Sequence, residues 1–207
     1  MSYYFYTVPK NIALMLHDKY MLEIFIETGT YAGITAEWAS KHFFQVHTIE
    51  QSEEYFSLAE KRLLNLPNVT MYLNDSRNIL PYITGYVNGR GVLFYLDAHW
   101  SEGAHYGRPL IDSVVIDEIL LINEWNNNNH AIIVDDAHRF GTERWPTKRA
   151  VIEALENNGK RLVRELLDVF IAIPNPLNFT LKRSYIDTYE SLNASTVEFV
   201  RSGGVWN

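Results

Sequence analysis

Short apolar runs recur along this chain, and nearly every one closes on a carboxylic acid. Residues 24–26 lead to Glu27, 45–49 to Glu50, 69–73 to Asp75, 92–96 to Asp97, and 131–134 to Asp135 and Asp136. Runs of this length suit strands. Between several of them lie helical patterns, at 35–42, 52–64 (with Ser52 as N-cap), 111–125 and 147–157, and a further helix at 11–20 opens the chain. Strands alternating with helices of 10–15 residues imply crossover units and a parallel sheet. The runs at 24–26, 92–96 and 131–134 lack polar alternation, which fits a sheet covered on both faces. Residues 161–166 and 169–173, around Leu167 and Asp168, read as a closing antiparallel pair. The expected fold class is therefore α/β: a doubly wound, mostly parallel sheet with an antiparallel last strand, in a three-layer α/β/α sandwich. One domain is expected, with a helical extension at 1–23, a core at 24–174 and no assigned pattern at 175–207.

Composition narrows the function. The 207 residues are 47% apolar, enough to bury a core without staples. A formal net charge of −7 argues against general nucleic-acid binding, which needs clustered Lys and Arg. With no cysteine there is no thiol nucleophile and no Cys-ligated zinc. No apolar run approaches the roughly 20 residues of a membrane span, and residues 1–10 do not read as a signal peptide. The expectation is a soluble cytoplasmic protein without a membrane partner, its oligomeric state left open.

In open α/β sheets, ligands bind at the carboxyl ends of the strands. An acid after a strand is also an ordinary turn former or helix N-cap. Any one of these acids fits that bland role; the whole set would converge on one edge. The turn Glu27-Thr28-Gly29-Thr30-Tyr31-Ala32-Gly33 joins the first strand to its helix. Dinucleotide loops carry G-x-G-x-x-G, and here Tyr31 stands where the second glycine lets a pyrophosphate approach. The loop remains suited to a ligand without phosphates, held by free helix N-terminal amides. Glu50 lies 21 residues beyond Gly29, where a carboxylate takes both hydroxyls of a ribose. Asp75 and Ser76 are placed to reach an adenine ring.

Together these residues resemble the class I S-adenosylmethionine-dependent methyltransferases, whose fold is Rossmann-like. The turn is similar to the E-x-G-x-x-x-G form of the catechol-type and macrolide-sugar O-methyltransferases, and departs from the more usual G-x-G-x-G. The resemblance spans about residues 25–174. It implies that Glu27, Thr28, Gly29, Thr30 and Gly33 surround the methionine part of S-adenosylmethionine. Glu50 would then bind its ribose, and Asp75 with Ser76 its adenine.

Leu96-Asp97-Ala98-His99 and Val134-Asp135-Asp136-Ala137-His138 are similar endings on two runs expected to be sheet neighbours. Carboxylates this close either raise a pKa or bind a cation, and a hard ion such as Mg2+ or Mn2+ suits oxygen ligands. In the metal-dependent O-methyltransferases, acids at these two strand ends hold the ion, and the same resemblance points to Asp97, Asp135 and Asp136, with Asp97 also beside the cofactor. Methylating a hydroxyl requires its proton to leave, and an imidazole can take it. His99, next to Asp97, is the first choice of base; His138 is a second choice or a residue around the metal. A mixed Asp/His site for a transition metal is also open. Trp145, on the loop at 140–146, is expected to pack under the sheet rather than line a pocket. The reading is an S-adenosylmethionine-dependent O-methyltransferase of a small molecule or sugar. Two alternatives stand beside it: an NAD(P)-binding Rossmann enzyme, and a cofactor-binding protein of the same fold without catalysis.

Overall fold

The computed structural model describes residues 7–87, 89–99, 113–125 and 127–176. Its backbone divides into Met1–Pro174 and Asn175–Asn207, and the description concerns the first unit. The opening helix is α1 (Lys10–Tyr20). Then follow β1 (Ile24–Thr28), α2 (Ile34–Ala39), β2 (Gln45–Glu50), α3 (Glu53–Leu63), β3 (Val69–Leu73), α4 (Ser76–Tyr86) and β4 (Val92–Leu96). The unit closes with α5 (Val115–Glu124), β5 (His130–Val134), α6 (Lys148–Glu156), β6 (Arg161–Leu166) and β7 (Val169–Pro174). Residues 100–112, with the start of the helix expected at 111, residues 1–6 and the tail beyond 176 lie outside the described residues. No described helix is long and apolar enough to cross a membrane.

The strand order is β3-β2-β1-β4-β5-β7-β6. Strands β1 to β5 pair in parallel, whereas β7 runs antiparallel to both β5 and β6. The sheet is thus the mostly parallel one expected, closed by an antiparallel pair. The chain winds outward from β1 to β3, then returns to β4 on the other side of β1. That reversal opens a crevice above the carboxyl ends of β1 and β4.

Strands β1, β4 and β5 are buried throughout, as their unbroken apolar runs require. Alternate residues point to opposite faces. Ile24, Ile26, Phe94 and Ile132 join a core with Leu80 of α4, Ile119 of α5 and Val151 of α6. On the other face Phe25 meets the rings of Trp38, Phe43 and Tyr95. Ser52 caps α3 as expected, its hydroxyl accepting from the Tyr55 amide. The helix α4 was not expected. Pro81 sits inside it, and a proline within a helical pattern normally signals its end. Thr84 at the same stretch turns its hydroxyl onto the Leu80 carbonyl at 2.9 Å.

Two glycines shape the β1–α2 turn. Gly29 has φ +84°, and a Cβ there would lie 2.6 Å from the Asp97 carbonyl oxygen. Gly33 has φ +73° and packs on Leu63. Tyr31 adopts φ +47° between them. Gly141 provides a comparison: its φ is +92°, with nothing within 4 Å of a built Cβ. Left-handed backbone alone costs an L-residue about 1–2 kcal/mol. Gly141→Ala is therefore expected to lose about that much in a urea melt. Gly29→Ala should lose clearly more, because backbone must move away from backbone. Equal losses would show that the close approach to β4 carries no energy.

Candidate active site at the strand ends

Glu27 is almost wholly buried, at 1% exposure. Its Oε2 accepts from the Thr48 hydroxyl at 2.6 Å, and Thr30 lies 2.6 Å from the same hydroxyl. Since Thr48 gives its proton to Glu27, Thr30 donates to Thr48. Burial pushes the Glu27 carboxyl up to about 8, against the lowering effect of its hydroxyl partners. Glu50 closes β2. Its two carboxylate oxygens accept the Tyr31 amide at 2.9 Å and the Ser52 amide at 2.8 Å. That grip fixes the carboxylate at the crevice mouth and ties the β1–α2 turn to β2. Each oxygen keeps a lone pair for a further donor.

Asp75 takes the ordinary role of a strand-end acid. It is the N-cap of α4, accepting the Arg77 amide at 2.9 Å, and it pairs with the Arg77 guanidinium. That guanidinium holds its carboxyl below the usual range. Ser76 opens α4 beside it and is buried. Below them lies Glu118, a residue that the sequence reading passed over. It is fully buried on α5, and both carboxyl oxygens lack a hydrogen-bond partner, as does the Thr28 hydroxyl. Burial raises its pKa to about 7, with the Ser76 and Thr28 hydroxyls acting in the opposite direction. Its signal was an acid on the apolar stripe of a helix, between Val115 and Ile119.

Strands β4 and β5 are neighbours with Leu96 opposite Val134, so Asp97 and Asp135 emerge side by side. Tyr95 links them, a second residue absent from the sequence reading. Its ring is fully buried and its hydroxyl donates to Asp135 Oδ2, with Asp97 Oδ2 at 3.4 Å. A phenol has one proton, so the second contact needs a proton on Asp97. Burial, then the charges of Asp135 and Asp136, drive Asp97 well above the usual carboxylate range. Burial likewise lifts Asp135 to about 7. The other oxygen of Asp135 accepts the Asp136 amide at 2.8 Å. Both Asp135 oxygens are thus directed at protein donors.

Asp136 turns outward on a left-handed residue, φ +57°. Its Oδ2 lies 3.3 Å from His99 Nε2 and 3.2 Å from Arg139 Nε. His99 Nε2 is 3.8 Å from Asp97 Oδ1. A β-bridge to Ser113 holds the His99 backbone, and its ring lies against Trp145. Trp145, expected under the sheet, instead lines the pocket together with Asp97, His99, Asp135 and Asp136. Asp97, His99 and Asp136 offer ligand atoms within 4.8 Å of one another; so do Asp136, His138 and Asp168. All three acids of the expected metal trio thus line this pocket: Asp97 and Asp136 lie beside His99, and Asp135 also accepts from Tyr95. His138 is gripped by Asp168, which accepts its amide at 2.9 Å and faces its Nδ1 at 2.7 Å.

No family model and no curated protein matches this sequence. Solved structures do. The O-methyltransferase TomG of Streptomyces achromogenes, solved with S-adenosylmethionine, superposes with a TM-score of 0.59. It is 16% identical, over 81% of this chain and 80% of that one. The fold is that of the class I methyltransferases. An O-methyltransferase from Bacillus cereus, solved with S-adenosylhomocysteine, agrees at TM-score 0.59 and 17% identity, over 80% of each chain. So does human methyltransferase-like protein 13, also with S-adenosylhomocysteine, at TM-score 0.56 and 10% identity over 91% of each chain.

The buried Glu118 of this class I methyltransferase fold gives a pH test. A carboxyl whose folded pKa is raised stays protonated in the folded state. Its contribution is complete below the unfolded value, 4.5, and is lost as pH rises through about 7. That loss amounts to about 3 kcal/mol. Urea melts of Glu118→Gln are expected to show a shallower decline in stability than wild type from pH 4.5 to 7.5. Parallel curves would mean that Glu118 ionises without penalty.

Proposed function

We propose that this protein is an S-adenosylmethionine-dependent methyltransferase that methylates a hydroxyl oxygen of a small molecule. The observation that carries the reading is Glu50, fixed by two amides beside the Gly29 turn at the open edge of the class I methyltransferase fold. When bound, S-adenosylmethionine supplies a methyl group on a positively charged sulfur, ready for in-line transfer. The residues present fit it. Glu50 retains lone pairs for the ribose hydroxyls. The carboxyl groups at this edge suit a cationic ligand.

Catalysis by this chain then rests on alignment and on the fate of one proton. Holding acceptor and donor in line supplies much of the rate. The acceptor oxygen belongs beside Asp97, His99 and Asp136, at the pocket that Trp145 walls. Two devices can be built there from the same groups. His99 can remove the hydroxyl proton directly. Alternatively, a divalent ion held by the carboxylates would lower the pKa of the bound hydroxyl.

O-methyltransferases among the structural neighbours, TomG and the Bacillus cereus protein, support oxygen as the acceptor. The NAD(P) alternative is disfavoured by Tyr31, whose side chain and φ of +47° occupy the position of the phosphate-approach glycine. Methyl transfer from labelled S-adenosylmethionine to a panel of phenols, catechols and sugars tests the reaction. Transfer to at least one hydroxyl acceptor is expected. Glu50→Gln should weaken S-adenosylmethionine binding by about tenfold, the worth of one or two charge-assisted hydrogen bonds. Unchanged affinity in that variant would remove the ribose contact.

A further inference from the structure

Two strands end the sheet, β6 and β3, and only one of them is guarded. Charged side chains, prolines and bulges are the usual devices that keep an edge strand from pairing with another chain. On β6 stand Arg164 and Glu165, the latter paired with Lys148. At the opposite edge β3 reads Val-Thr-Met-Tyr-Leu and is as long as β1. It carries no charge and no proline, and Val69, Thr70 and Tyr72 are strong strand formers.

The hydrogen-bond phase of β3 leaves its outer side open. Val46 donates to the Asn68 carbonyl and Asn74 to the Glu50 carbonyl, each at 2.9 Å. With Val46 opposite Val69 and Glu50 opposite Leu73, it is Thr70 and Tyr72 that bond to β2. The backbone groups of Met71 and Leu73, and the Val69 carbonyl, point away from the sheet. No described residue bonds to them. The Val69 amide is used locally, by the Leu66 carbonyl at 3.1 Å. Beside this edge α4 exposes Tyr82 and Tyr86, at 66% and 69%. Tyr72 stacks on His47, and Tyr86 meets the same imidazole edge-on. Burial, then the neighbouring Tyr82 and Tyr86, raise the Tyr72 phenol, which places both tyrosines on the β3 side of α4. The patch is therefore continuous with the open edge, and tyrosine is enriched where proteins meet.

We infer that β3 pairs with β3 of a second copy of this chain, antiparallel about a two-fold axis at Met71, so that one sheet runs through a dimer. In this register Met71 exchanges both of its backbone bonds with Met71 of the second copy. Each Leu73 amide meets the Val69 carbonyl opposite. No bond within either copy is broken. The strand is its own complement, as a two-fold contact between identical surfaces requires. It also sets no charge against its twin, which matters for a chain of net charge −7. The axis stands normal to the sheet, so both α4 helices lie on one face and their tyrosines meet over the joined strands. Two tyrosines so exposed offer about 300 Å2 per copy. With Leu73 and the edge of the strand, the total over both copies reaches about 1,000 Å2, the scale of a specific interface. Antiparallel pairing turns the carboxyl edges of the two sheets in opposite directions, so each crevice stays open. Neither the pairing nor its test depends on what the crevice binds.

Sedimentation equilibrium of the full chain across the micromolar range tests the contact. A monomer–dimer equilibrium is expected. Met71→Pro should raise the dimer dissociation constant by about tenfold or more, since each copy loses a central donor. The proline costs the monomer no ladder bond, because the Met71 amide faces outward. Tyr82→Glu with Tyr86→Glu, on exposed helix positions, should weaken the dimer on the same scale without touching the strand. Melting temperatures check that the variants fold, and the glutamate pair decides alone if the proline variant does not. Amide exchange in the wild type should be slow at Met71 and Leu73 in the dimer and fast on dilution. A wild type that is monomeric at every concentration would overturn the assignment. So would a dimer that the glutamate pair leaves unchanged, or a monomer whose Met71 amide is protected, which would mean that one chain covers its own edge.

Discussion

The approach of the β1–α2 turn to the end of β4 is the constraint from which the rest of the edge follows. Gly29 brings its Cα so near the Asp97 carbonyl that no side chain fits between them. Because of that contact, the turn that would hold a cofactor and the acids that would meet an acceptor share one crevice. Glu50 secures the other side of the turn through the Tyr31 amide. The turn is thus pinned between β2 and β4, on the two sides of β1. A donor and an acceptor of a methyl group need this kind of fixed separation more than they need chemical assistance.

The same edge concentrates buried acids, and the fold accommodates them unequally. Glu27 is served by threonine hydroxyls, Asp135 by Tyr95 and a backbone amide, and Glu118 only by the nearby Ser76 and Thr28 hydroxyls, without a well-formed hydrogen bond. Each arrangement favours a different amount of protonation. The outcome is a crowded edge: burial raises the proton affinity of Glu27, Glu118, Asp97 and Asp135, while Asp136 turns outward beside an imidazole. A protein that only needed a stable sheet would place apolar side chains at these positions. Placing five such acids at one edge is intelligible if a cationic ligand, an ion or both offset their charge.

Much of this was legible in the sequence. The unbroken apolar runs of β1, β4 and β5 marked strands covered on both faces, and Ser52 marked the start of α3. Glu27, Glu50, Asp97, Asp135 and Asp136 were visible as a set because parallel strands share a carboxyl edge. What the sequence hid was side-chain direction and pairing across strands. Asp75 and Asp135 look alike in the chain, yet one caps a helix and the other turns inward to a tyrosine. Nothing in the apolar run singles out Tyr95, because only the register of β4 against β5 brings its hydroxyl to Asp135. Glu118 was masked by the charged face of its helix, Asp117 being exposed beside it. Pro81 concealed α4 for a local reason, since a proline removes a helix hydrogen bond without ending this helix.

The central claim is that the crevice above β1 and β4 takes S-adenosylmethionine. Calorimetry of the wild-type chain with S-adenosylmethionine, S-adenosylhomocysteine and NAD+ in parallel tests it most directly. Saturable, one-to-one binding of the two sulfur nucleosides, with none for NAD+, is the expected result. Binding of NAD+, or of none of the three, would contradict the claim.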